Sequence, residues 1–167
     1  MKSFKQYMIE SVEFIGWNEA NDILKIDAVF RIQPWGQNTS WKMKRTSGKT
    51  HADVEPMTLD DTNTMKDTIG FGSDFKTAKY TPVVVEFEGR RFAAALMNVP
   101  HAGSNVTPPG KITKKLSGGF DNIVNGDYIK DNGVIGHFCL HFFGSIRHTD
   151  NNTDQKAMAA INSINSI

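Results

Sequence analysis

A chain of 167 residues can bury a substantial single core, and 39% hydrophobic with 22% charged residues is the composition of a globular protein. A formal net charge of +1 gives no broad attraction for nucleic acid, and the one basic cluster, Lys42, Lys44, Arg45 and Lys49, is diluted by neighbouring acids. No apolar run approaches the roughly 18 residues of a membrane span, and MKSFKQYMIESVEF lacks the apolar stretch and small-residue cleavage site of a secretory signal. No membrane span and synthesis in a cytoplasm are therefore expected.

In chain order, residues 2–11 suit a short helix. Ile23 to Ile32 and Ser40 to Arg45 read as strands joined by the turn-like QPWGQN, so residues 1–45 give a helix and a hairpin. TLDDTNTMKDTIG predicts a helix with Thr58 as N-cap, Asp60 and Asp61 favouring the positive dipole end, Gly70 at the C-terminus, and Leu59, Met65 and Ile69 as its apolar face. PVVVEFEGRRFAAALMNV is the clearest hairpin: Pro82 to Phe87, a Glu88-Gly89 turn, and a largely apolar return from Arg91 to Val99. Residues 102–134, rich in Gly, Asn, Pro and Lys, read as a long inserted loop, and loops of that length tend to be functional. DNNTDQKAMAAINSINSI predicts a terminal helix capped by Thr153. The expectation is a single catalytic domain over 1–167, mostly β with two or three helices, a β-rich α+β fold.

The stretch GHFCLHF, Gly136 to Phe142, holds the only cysteine and two of the five histidines. Successive side chains of a strand point to opposite faces, so His137, Cys139 and His141 share one face while Phe138, Leu140 and Phe142 share the other. One cysteine cannot form an internal disulfide, and a lone Cys among histidines is either a small buried hydrophobe or a nucleophile. Three titratable groups on one face are costly to bury without partners, which favours a site. A thiolate is the reactive form, and a histidine can both take its proton and stabilise its charge. His101, at the end of the PVVVEF hairpin's return strand, reaches Cys139 if that strand lies beside GHFCLHF.

VPHAG followed by GHFCLHF resembles the paired elements of the YkuD-type L,D-transpeptidases, peptidoglycan-acting cysteine enzymes. The run from HADVEPMTLDDT to GHFCLHFFGS resembles a YkuD-like group of bacterial proteins over roughly residues 45 to 160. The resemblance implies an L,D-transpeptidase-like mixed sheet or sandwich, with Cys139 as nucleophile, His101 as general base and His137 as orienting residue, and no metal or organic cofactor. Phe138 stands where the family has glycine, Gly136 where it has Ser or Thr, and His141 where it has Arg or Asn. The implied chemistry is acyl transfer on peptidoglycan stem peptides. With no export signal read from the sequence, the expected member is a phage endolysin-like hydrolase, made in the host cytoplasm and acting on the wall after release.

Two rival readings stand beside it. His51, Asp53 and Glu55 alternate on an extended segment and, with His101, His137, Cys139, His141 and His148, could supply a zinc hydrolase. A non-catalytic wall-binding or phage structural module is the other. Singly, His51, Asp53 and Glu55 are either a solvated loop leading into a helix or groups that bind substrate or support the site. His141 and Arg147 are further candidates for meeting substrate carboxylates. Arg90 and Arg91 read as solvent-facing in a turn. Trp17, Trp35 and Trp41 pack the N-terminal hairpin or line a sugar-binding surface.

Overall fold

The computed structural model describes residues 12–147 and 150–164, together with Met1 and Ser3. The expected helix over 2–11 and the candidate His148 lie outside the described residues. The elements in chain order are β1 (Val12–Glu13), α1 (Trp17–Ile23), β2 (Val29–Pro34), β3 (Trp41–Ser47), β4 (Ala52–Pro56), α2 (Leu59–Ile69), β5 (Tyr80–Phe87), β6 (Arg90–Met97), β7 (Ile112–Thr113), β8 (Ile123–Val124), β9 (Phe138–His141) and α3 (Gln155–Ser163). The protein is mostly β with three helices among the described residues, the β-rich α+β class expected.

The strand order is β1-β6-β5-β2-β3-β4-β9, and β9 also pairs with β6. That last pairing closes six antiparallel strands, β6-β5-β2-β3-β4-β9, into a barrel, to which β1 adds in parallel on β6. Alternation then sorts the side chains. Ile32, Met43, Val54, Val85, Phe92, Leu96, Phe138 and Leu140 are fully buried members of one core cluster. The intervening residues face outward, where helix α3 covers part of the wall: Ala157, Ala160 and Ile161 pack against Val84, Ala93 and Ala95. β6 is therefore apolar on both faces, which is why RRFAAALM shows no alternation.

Thr58 caps α2 by accepting from the Asp61 amide at 3.1 Å, and Gly70 ends it with φ 71°, as expected. Leu59 departs from the expected apolar face: it is half exposed, while Met65 is fully buried. The β5–β6 turn is Glu88-Gly89, both with positive φ, and eight register pairs follow from it. The strand expected from Ile23 begins six residues later at Val29, and WNEANDI before it is helix α1. Asp154, not Thr153, caps α3, accepting from Lys156 and Ala157 amides at 2.9 and 3.2 Å. Trp17 and Trp41 are buried and Trp35 packs against the α3 cluster, so the three tryptophans form no sugar-binding surface. Arg90 is spoken for as well, in an exposed ion pair with Glu13 at 2.8 Å.

Candidate active site

The alternation read in GHFCLHF is what the structure contains: Phe138, Leu140 and Phe142 are wholly buried in the barrel core, and Cys139 and His141 point the other way. The site thus lies on the barrel's outer wall, at the strand β9 between β4 and β6. Asp53 on β4 is the register partner of Cys139. Residues 98–137 leave β6, run over this wall and return to β9.

His101 and His137 form a bridge in which each amide donates to the other's carbonyl, at 3.0 and 2.9 Å. Gly136 makes the approach possible. Its φ is 103°, and a Cβ there would lie 2.0 Å from the His101 carbonyl oxygen. The bridge sets the His101 ring against the sulfur: Nε2 is 3.5 Å from Cys139 Sγ, while Nδ1 is 2.8 Å from the Val99 carbonyl. A carbonyl can only accept, so Nδ1 carries a proton and Nε2 is the atom that exchanges one with sulfur. Phe75 and Phe120 flank the ring at 5.1 and 5.4 Å between centroids.

On the opposite side of Cys139, His51 Nδ1 is 3.0 Å from the Ile146 carbonyl and Nε2 is 3.1 Å from Asp53 Oδ1. Asp53 Oδ1 is also 3.5 Å from His137 Nε2, and its Oδ2 accepts from Ser47 Oγ at 2.9 Å. His137 Nδ1 faces the Gly126 carbonyl at 3.2 Å. His141 stacks on His51 with centroids 4.9 Å apart and planes 10° from parallel, and Tyr80 meets it edge-on at 5.7 Å. His51, Asp53, His101, His137, Cys139 and His141 are all buried.

Burial alone would hold Cys139 as a neutral thiol, but the charges of His51 and His101 and their contact with sulfur outweigh it and hold the thiol well below its ordinary range. Burial likewise opposes charge on His51 and His101, and the sulfur outweighs it, raising both. Asp53 is buried too, yet the His137 and His51 rings and Ser47 depress its carboxyl. His137 goes the other way: burial dominates and lowers it. The arrangement favours a thiolate facing imidazolium.

A cavity of about 770 Å³ opens onto these groups, within the range of small-ligand sites. Phe75, Met97, Phe120, Ile123, Val124 and Tyr128 give it an apolar side. Arg147 lies at its rim, engaged with Asp150 at 2.6 Å and Asp154 at 3.6 Å. Asp154 Oδ2 also accepts from the Tyr80 hydroxyl at 2.7 Å.

No family model matches the chain, and no curated protein or solved structure matches it. A functional reading therefore draws on the site's own geometry.

His51, Asp53 and Glu55 are not a solvated loop: Asp53 and Glu55 lie on strand β4, His51 immediately precedes it, and all three are buried. Nor do they converge on one point, because Glu55 does not line the cavity. Its carboxylate accepts the Tyr128 and Ile129 amides, both at 3.1 Å, and so clamps the 102–134 excursion to the barrel. That excursion, read as an inserted loop, carries β7 and β8 and is pinned internally by Asn125, whose side chain bonds Ser104 and Thr107. Ser47, Tyr80, Phe75, Phe120 and the carbonyls of Val99 and Ile146 complete the site; no spacing in the sequence singles them out.

Burial, opposed by the Ile129 and Tyr128 amides, pushes the Glu55 carboxyl up to about 7. Asp127, buried nearby, pushes it in the same direction. The folded state then binds a proton more tightly than the unfolded chain between the ordinary carboxyl value near 4.5 and about 7, so stability is full below that window and falls as pH rises through it, by about 3 kcal/mol at this site. Glu55→Gln keeps one of the two acceptor oxygens and cannot ionise. Thermal unfolding of the wild type is expected to fall by several degrees more than that of the variant between pH 4.5 and 7.5; parallel curves would refute the assignment.

Proposed function

We propose that the protein is a cysteine peptidase of endolysin type, cleaving amide bonds of peptidoglycan stem peptides or cross-links through an acyl-enzyme. The observation that carries the reading is Cys139 Sγ at 3.5 Å from His101 Nε2, with the far nitrogen of that ring anchored on a carbonyl at 2.8 Å. Nucleophile, base and orienting acceptor are the parts that thiol-based acyl transfer needs. A stiff strand carries the sulfur, and a cavity of substrate size lies before it.

In the proposed reaction His101 Nε2 holds the Cys139 proton and the thiolate attacks the substrate carbonyl, forming a C–S bond. The C–N bond then breaks as His101 gives that proton to the leaving amine. Water, deprotonated by the same nitrogen, attacks the thioester; the C–S bond breaks, the acid leaves and the thiolate–imidazolium pair is restored. The His51–Asp53 pair stabilises the thiolate from the other side, and Asp53 also steadies His137.

The naming of peptidoglycan as substrate is supported by the resemblance of VPHAG and GHFCLHF to the L,D-transpeptidase elements. Defined muropeptides incubated with the protein and analysed by mass spectrometry test it. The expected result is new peptide termini together with a trapped enzyme adduct on the Cys139 peptide. Intact muropeptides after prolonged incubation would dispose of the proposal.

A further inference from the structure

We propose that His51, Cys139 and His141 form a binding site for one thiophilic divalent cation of the zinc class. One donor atom from each residue lies within 4.8 Å of the other two, and all three residues are buried. Two imidazoles and a sulfur suit zinc and cobalt, and discriminate against magnesium and calcium, which take oxygen.

Two features fit the cluster for a cation beyond its composition. The Ile146 carbonyl holds His51 Nδ1 at 3.0 Å, the kind of backbone anchor that fixes the tautomer of a metal-binding histidine and leaves Nε2, 3.1 Å from Asp53 Oδ1, as the atom to meet the ion. His141 Nδ1 is buried with no hydrogen-bond partner among the described residues. An unpaired buried nitrogen is costly, and a metal bond at that atom would give it a partner. The two rings stand nearly parallel, 10° apart.

Zinc sits about 2.3 Å from sulfur and 2.0–2.1 Å from imidazole nitrogen, which brings tetrahedral donors to about 3.5 Å. The donor atoms therefore close by at most about 1.3 Å. Binding displaces the proton that the His51–Cys139 pair holds, and Asp53 remains beside His51 as a compensating charge. Water fills the fourth position from the cavity. His101 approaches the sulfur from the other side and is not a donor. The consequence for activity rests on the peptidase reading: a metal-bound sulfur does not attack a carbonyl, so cation occupancy switches the enzyme off.

Titration of the full chain with cobalt(II) tests the site. The wild type is expected to bind one equivalent, with thiolate-to-cobalt charge transfer in the near ultraviolet that zinc reverses. Cys139→Ala should lose the band. His141→Phe, which keeps the ring stacked on His51 but no nitrogen, should bind at least about tenfold more weakly, and His101→Ala should titrate like the wild type. Wild-type protein without a sulfur band, His141→Phe binding as tightly as wild type, or His101→Ala losing the band would each overturn the site. If His141→Phe does not fold, zinc protection of wild-type Cys139 against alkylation decides, and an unprotected thiol overturns it. Muropeptides left intact by metal-free wild type would remove the peptidase reading while leaving cobalt binding standing, so the two failures are distinguishable.

Discussion

Cys139→Ala is expected to lower peptide release from wall sacculi by at least about 10³-fold while leaving the barrel intact. The change deletes one sulfur atom at a position on the outer wall whose buried apolar neighbours are Met97 and Val99, so little core volume is lost. His101→Ala should cost about 10²- to 10⁴-fold, the usual contribution of a positioned acid–base group. Both variants should retain the wild-type circular dichroism spectrum. Sacculi digested at the normal rate by Cys139→Ala would end the thiol mechanism outright.

Asp53→Ala is the second large effect, and it falls on stability. The carboxylate is the shared acceptor for Ser47, His51 and His137, and its side chain is 9% exposed. Its removal strands two buried rings and a hydroxyl, and breaking a buried pair in this way costs about 3–5 kcal/mol from a total stability of about 5–15 kcal/mol. A fall in melting temperature on the order of 10 °C follows for a chain of this size. Asp53→Asn retains an acceptor for Ser47 and should lose less. Equal melting temperatures for Asp53→Ala and the wild type would show that the carboxylate holds nothing together.

The parts of this molecule that are legible in the sequence are those set by local periodicity and turn chemistry. The two faces of GHFCLHF follow from a period of two, and the Glu88-Gly89 hairpin and the Thr58-capped helix announce themselves at their ends. His101 could be named as a candidate from its place at a strand end, but its bridge to His137 joins positions 36 apart in the chain and rests on pairing that no short window encodes. Asp53 and Glu55 show why the other face of β4 was hard to read. Alternating charges signal a solvated surface, and here that surface is roofed by the 102–134 excursion, which Glu55 itself holds down. ILKIDAVFRI reads as one strand from Ile23 because it is rich in apolar residues, but Ile23 closes helix α1 and Asp27, with φ 73°, turns the chain before β2 begins at Val29. Closure of the barrel depends on β9 meeting both β4 and β6, and strand order is a property of the whole chain.

That closure has a temporal side. The stave carrying the sulfur is four residues long, comes last among the strands, and is gripped by neighbours that precede it by many tens of residues. The earlier hairpins can zip from local contacts, whereas this keystone must wait for two distant edges to be in place, and loop-closure entropy makes such long-range docking late. In a nascent or half-folded chain the Cys139 thiol consequently lacks the His51 and His101 rings that lower it, and gains them only once the last stave has seated.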